Sequence, residues 1–413
     1  MSFSQSCMKG VVGALNAGGS TLRRIGLDLP ALELEPLLEA ARQRTGLREF
    51  GDWDFIEPLQ RLLASYRSEA ALTTLGRVTV KELIVSLLEN LLQLEAEYRR
   101  SPGIASIDIE SPVFIIGLPR TGTTLLHGLM SEDSDNRVPR TWEVMYPARF
   151  PNDADGIAQA RRLTASRLAW ANRLAPKFRK IHPIAADLPQ ECIAITAQVF
   201  MSIQFHTTHN VPSYERWFER SSQKLGYEFH RRLLQHLEAR APGRRWVLKA
   251  PGHLFALDDL LARYPDAKIV QTHRDPLRVV ASMASHATVL RRAFSDSAEP
   301  GQIAADWTER WARALTDFLA VRDRFPAAQF LDINYHDLEH APLDTVAAIY
   351  DFLGWPVTEA SRAAMGAFLR ANPKNKHGVH RYSLSQYGLD REAEAERFAA
   401  YCSRFNIAVH ADV

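Results

Sequence analysis

Cysteine is scarce in this chain. Cys7, Cys192 and Cys402 lie far apart in 413 positions. No CxxC and no Cys/His spacing suggests zinc, so no metal site is expected, and an odd number of scattered thiols fits a reducing compartment. Charge imbalance is small as well: 50 Lys and Arg against 48 Asp and Glu leave +2. A protein that coats nucleic acid carries a larger basic excess, so no nucleic-acid partner is expected. No apolar run approaches the roughly 20 residues of a membrane span. The opening MSFSQSCMKGVVGALNAGG lacks a basic cluster ahead of an apolar stretch, so no signal peptide and a cytoplasmic location are expected. Internal repeats and low-complexity segments are absent. With 46% hydrophobic and 24% charged residues, the chain reads as globular, long enough for one large domain or two smaller ones.

Val113 to Met130 reads VFIIGLPRTGTTLLHGLM. An apolar run meets Gly117, a short loop follows, and Leu125, Leu126, Leu129 and Met130 then recur at helical spacing. A buried strand, a tight loop and a helix N-terminus make an anion cradle, because loop amides point inward and the helix dipole adds positive charge. The spacing Gly117-x4-Gly122-Thr123-Thr124 is that of a P-loop, but Thr123 stands where an ATPase carries lysine. The basic residue sits inside the loop, at Arg120. The cradle is expected to hold a phosphate or sulfate ester other than the triphosphate of ATP.

A second constellation lies in Arg245 to Ser285, RWVLKAPGHLFALDDLLARYPDAKIVQTHRDPLRVVASMAS. Trp246 to Leu248 predicts a strand ending in Lys249. Lys268 to Thr272 predicts another, with Arg274 just past its end. Asp275 is a good N-cap with Pro276 at the first helical position. Ligands of parallel sheets sit beyond the carboxyl ends of strands, where Lys249 and Arg274 both fall. A lysine ending an apolar strand is costly without an anionic partner, either a bound group or a nearby carboxylate.

The loop resembles the 5′-phosphosulfate-binding loop of sulfotransferases, which use 3′-phosphoadenosine 5′-phosphosulfate (PAPS). The resemblance extends over roughly residues 111 to 390. It implies that Pro119, Arg120, Thr121, Gly122, Thr123 and Thr124 bind the phosphosulfate and that Arg274 and Ser282, eight residues on, hold the 3′-phosphate. It also implies that Lys249 contacts the transferred sulfuryl group. FLDINYHD, from Phe330, resembles the strand whose tyrosine approaches the adenine, which makes Tyr335 that residue. KNKHGVHRY, from Lys374, resembles the basic-glycine loop that closes over the 3′-phosphate, with Lys376 and Gly378 as counterparts. The co-substrate implied is PAPS, the product 3′,5′-ADP, and no metal is required because Arg and Lys supply the positive charge.

Sulfuryl transfer to a hydroxyl needs a base for the acceptor proton. Glu143, in RTWE, is the first candidate, since the protein-tyrosine and some bacterial sulfotransferases carry a Glu in the corresponding segment. His253, in KAPGH, is the second, displaced by two residues from the histidine of the cytosolic members. Glu191, in DLPQE, is the third. Each also reads as a helix cap or an ion-pair partner. Two rival functions stay open: a P-loop kinase or NTPase, which would need Gly-Lys-Thr, and an inactive nucleotide-binding module.

The fold expected is α/β, a P-loop-like central parallel sheet flanked by helices. Residues 1–110 read as a helical N-terminal region, with helices over Pro36 to Arg44, Phe55 to Tyr66 and Val80 to Arg99 and a joint at Ser101-Pro102-Gly103. This region packs on the catalytic domain or is swapped in a homo-oligomer. Residues 111–413 read as the catalytic domain. Within it, 140–240 is a mostly helical insertion rich in aromatics, such as Trp142, Tyr146, Phe205, Tyr214 and Trp217. Most of these are expected in the core. The few left over lean towards a small apolar or aromatic acceptor bearing a hydroxyl or amine.

Overall fold

The computed structural model describes residues 13, 16–18, 21, 29–174, 184–242, 245–373 and 383–409. Among them five parallel strands form one sheet: β1 (Val113–Gly117), β2 (Asn136–Arg137), β3 (Arg245–Lys249), β4 (Lys268–His273) and β5 (Phe330–Asn334), in the order β2-β3-β1-β4-β5. The expected α/β class is therefore the observed one. β1 is central, and all five of its residues are buried. That is why it reads as an unbroken apolar run rather than an alternating one. Its side chains alternate between two cores. Phe114 and Ile116 pack with Leu248 and Ile269 on one face, while Val113 and Ile115 pack with Leu126, Val247 and Ile349 on the other. The two-residue β2 has no sequence signal of its own.

The helices begin where their caps allow. Asp275 accepts a hydrogen bond from the Leu277 amide, and Pro276 opens the helix Pro276–Phe294, as expected. The first N-terminal helix is Leu34–Thr45, two residues ahead of the expected start. Pro36 is then its third residue, where the missing N–H still falls among the unpaired donors of the first turn. The long helix expected from Val80 begins at Thr74, because the Thr73 hydroxyl caps it by accepting from the Gly76 amide at 3.0 Å.

Leu37, Leu59, Leu88 and Leu91 of the N-terminal helices share one continuous core with Phe114, Leu248 and Val279. The helical region therefore buries its apolar faces on its own chain, and Pro102–Ser106 is a short 3-10 turn between them. The insertion is helical, and its aromatics are largely core: Phe200, Phe205 and Tyr214 are fully buried, whereas Trp170 is exposed.

Candidate active site

β1, β3 and β4 run parallel, so Gly117, Lys249 and Arg274 emerge at one edge of the sheet. The loop after β1 turns sharply. Gly117 has φ +144°, and a β-carbon there would lie 2.5 Å from the Thr272 hydroxyl. Gly122 has φ +88° and caps the helix Thr123–Met130; its β-carbon would lie 2.7 Å from Leu338. Arg120 adopts φ +67°, a left-handed conformation that costs a non-glycine residue roughly 1–2 kcal/mol. The neighbours hold it there. Thr121 Oγ1 donates to Leu118 O at 2.7 Å and lies 2.6 Å from Thr272 Oγ1, which ties the loop to β4. The Thr121 side chain is thus spent inside the fold, and its backbone is what it offers a ligand.

Arg274 closes this side. Its Nη1 donates to the Arg120 carbonyl at 2.7 Å, and its guanidinium lies 4.0 Å from the Tyr335 ring centroid. Tyr335 in turn donates to Glu339 at 2.6 Å. Loop, Arg274 and Tyr335 therefore form one packed unit. Burial, the largest influence, lowers the Arg274 pKa. Ser282 is buried in the second turn of Pro276–Phe294. Lys376 and Gly378 lie outside the described residues.

Lys249 is 2% exposed. Its ammonium pairs with the Glu191 carboxylate and lies 3.4 Å from Thr124 Oγ1, at the exposed N-terminus of the P-loop helix. Beneath it, His127 approaches Val247 O at 3.2 Å. Burial first, then the Lys249 charge, lowers the His127 pKa to about 3, so the ring is neutral. Of the two anionic partners open to Lys249, a bound group or a nearby carboxylate, the carboxylate is present, and it is the third base candidate.

Glu143, the first candidate, is engaged elsewhere. Arg137 donates to both of its oxygens, at 2.5 and 3.0 Å, and the Arg140 amide donates to Oε2 at 2.8 Å. Glu143 is a buried cap of the helix Thr141–Met145. That helix start carries the loop leading to Glu191. Thr141 N donates to Leu188 O at 3.0 Å, and Gln190 N donates to Pro139 O at 2.8 Å. Glu143 thus caps the segment that these backbone bonds tie to the loop before Glu191. His253 is also a core residue. Its Nδ1 lies 2.7 Å from the Tyr227 hydroxyl, it packs edge-on to Phe114, and burial pushes its pKa well below the usual imidazole value.

Sequence reasoning missed Tyr401. Its hydroxyl reaches His273 Nδ1 at 3.0 Å and the Arg274 backbone, so the helix Ala399–Arg404 braces the end of β4. Nothing near Arg274 in the sequence signals a partner that lies 127 positions downstream.

Among the described residues, no group of three or more His, Cys, Asp or Glu is placed to hold a metal ion, and no helix is long and apolar enough to cross a membrane. Residues 112–359 match the Sulfotransferase family. The sulfotransferase STF1 from Mycobacterium tuberculosis H37Rv is 35% identical and superposes with a TM-score of 0.79, over 89% of this chain and 98% of that one. The sulfotransferase STF9 from Mycobacterium avium is 26% identical with a TM-score of 0.80, over 93% and 99%. The omega-hydroxy-beta-dihydromenaquinone-9 sulfotransferase Stf3 of Mycobacterium tuberculosis (strain CDC 1551 / Oshkosh) is 24% identical over 309 residues, which is 71% of this chain and 75% of that protein. With a P-loop-like cradle at the edge of a parallel sheet, and with these matches over most of its length, the chain belongs to the sulfotransferase family.

Proposed function

We propose that this sulfotransferase takes the sulfuryl group from PAPS and passes it to the hydroxyl of an uncharged, largely apolar acceptor, with Glu191 as the general base. The observation that carries this reading is the Lys249 ammonium, which lies between Glu191 and the Thr124 hydroxyl at the mouth of the cradle. Loop amides, Arg120, Thr123 and Thr124 would hold the 5′-phosphosulfate. Arg274 and Ser282 would hold the 3′-phosphate, with Lys376 and Gly378 closing over it and the Tyr335 side near the adenine. The fit is chemical: the two glycines let the loop pack directly against β4, Leu338 and Tyr335, which sets its amides and hydroxyls beside the Arg274 guanidinium.

In the step itself the acceptor oxygen attacks sulfur as Glu191 takes its proton. The new O–S bond forms in line with the breaking bond to the bridging oxygen, and 3′,5′-ADP leaves. Lys249 and Arg120 meet the negative charge that builds on that oxygen, a preorganised electrostatic role. Lys249 therefore serves two partners in turn. It pairs with Glu191 before the donor binds, and with the donor's sulfuryl end afterwards, which uncovers the base.

The Stf3 relative is named for a hydroxylated menaquinone acceptor. A hydroxyl on a large apolar skeleton agrees with the uncharged acceptor proposed here. Titration calorimetry with 3′,5′-ADP and ATP, together with turnover on a panel of alcohols and phenols, tests the reading. Tight 3′,5′-ADP binding and sulfated product support it. Preference for ATP, or binding without turnover on any acceptor, would sink it.

A further inference from the structure

One residue along the chain from each partner of the Glu191–Lys249 pair, a cavity of about 30 Å³ opens. Its wall continues both partners along the chain: Cys192 follows Glu191, and Ala250 follows Lys249. The remaining wall includes Thr196, Met201, Gly226 and Gly252, and its surface is almost wholly apolar. One water needs about 10–15 Å³ together with two to four polar partners. The space suffices for two or three heavy atoms, and because so little polar surface faces it, it suits a hydrocarbon group better than water. An empty apolar void forfeits dispersion contacts that a fitting hydrocarbon group restores.

Two glycines keep the space open. A β-carbon at Gly226 would lie 3.4 Å from Met201 Cβ and 3.6 Å from Thr196 Cβ, in ordinary contact across the void. A β-carbon at Gly252 would lie 3.1 Å from Ile193 and 3.5 Å from Ile203. Gly226 sits in the first turn of the helix Lys224–Arg240, where alanine is the better helix former. A glycine at this position costs helix stability, and the conformation does not demand it. His253 lines the same cavity, and its Nε2 is buried without a hydrogen-bond partner. The wall therefore offers mainly hydrocarbon contact, with the neutral polar groups of Thr196, Ser202, Gln223, Tyr227 and His253 and no charged side chain to compensate a buried charge.

We propose that this cavity is a side-arm subsite of the acceptor: it takes an uncharged alkyl group of two or three carbons from the alcohol whose hydroxyl is presented to Glu191. The proposal rests on the sulfuryl-transfer reading above. The site thus selects a branched or alkyl-bearing neutral alcohol over methanol and over an alcohol whose short arm ends in a carboxylate.

Met201 reports on the cavity directly. With methyl-labelled methionine and 3′,5′-ADP bound, isoamyl alcohol should shift the Met201 resonance, whereas methanol and 4-hydroxybutyrate should not. Gly226→Ala should fold at least as stably and bind 3′,5′-ADP unchanged. It should weaken isoamyl alcohol by about fourfold for each methylene it excludes. An unmoved Met201 resonance, or equal titrations in the two proteins, overturns the subsite. If 3′,5′-ADP binds and Glu191→Gln is inactive while Met201 stays unmoved, the subsite alone fails. If Met201 responds but 3′,5′-ADP does not bind, the transfer reading fails and the cavity's apolar selectivity stands.

Discussion

The Lys249 ammonium is paired with the Glu191 carboxylate, and the two arrive from opposite sides of the site: Lys249 from the end of β3, Glu191 from the cap of the helix Cys192–Thr196. Lys249 is buried, and Glu191 is only 14% exposed, so neither charge is spare surface decoration. A buried pair of this kind is weak support for stability by itself. Its place beside Thr124 of the P-loop helix is what the proposed mechanism uses.

Replacing Glu191 by Gln keeps shape and removes basicity. Turnover should fall by about 10²–10⁴, the usual worth of a general base, while 3′,5′-ADP binding stays near that of the parent. The loss should be smaller for acidic phenols than for aliphatic alcohols. Full activity of Glu191→Gln on an aliphatic alcohol would falsify the assignment.

Glu143→Ala should act on stability. It leaves the Arg137 guanidinium buried without its carboxylate, at a cost of about 3–5 kcal/mol, and removes the cap on the Arg140 amide. Urea denaturation measures that loss. Because Glu143 acts through the Glu191 loop, the milder Glu143→Gln should keep the parent's pH–rate profile at reduced turnover. A profile that loses its acidic limb in Glu143→Gln, and keeps it in Glu191→Gln, would return the base to Glu143.

Lys249→Met should lower the transfer rate more than it weakens PAPS, since the lysine's strongest contact forms as the leaving oxygen gains charge. Single-turnover kinetics at saturating PAPS separate the two effects. An unchanged rate with a raised dissociation constant would make Lys249 a binding residue only.

Arg274→Ala should weaken 3′,5′-ADP by about 1.5–3 kcal/mol, the range for a charge-assisted hydrogen bond. Adenosine 5′-phosphate, which lacks the 3′ group, should lose much less. Some loss is common to both ligands, because Arg274 also holds the Arg120 carbonyl. Equal losses for the two nucleotides would limit Arg274 to shaping the loop.

Four buried histidines set an acid limit. Burial lowers His127, His206, His209 and His230 to about 3, below the 6.5 of an exposed ring. The unfolded chain therefore takes up protons first as pH falls. The stability these groups contribute is complete above pH 6.5 and is lost progressively towards pH 3. Each contributes a slope of up to about 1.4 kcal/mol per pH unit. Denaturation midpoints measured from pH 7 to pH 4.5 should fall steeply, and a flat profile would show that these rings are charged in the folded protein.

The sequence by itself determined the parts whose physics is local. The apolar run Val113 to Ile116, the two glycines of the loop and the Asp275-Pro276 cap each specify backbone geometry within a few residues. Strand, cradle and helix start all follow from them. Arg274 could be placed because a residue one step past a parallel strand must emerge at the sheet's carboxyl edge. Which of the three base candidates meets Lys249 belonged to the tertiary structure. Glu143, His253 and Glu191 are each a titratable group beside an apolar segment, and no local pattern ranks them. Arg137 and the Arg140 amide occupy Glu143, and Tyr227 and Phe114 enclose His253. Glu191 alone of the three meets Lys249, 58 positions away. Which carboxylate a buried lysine finds depends on how the insertion folds back over β3, and that is settled by the packing of the whole chain.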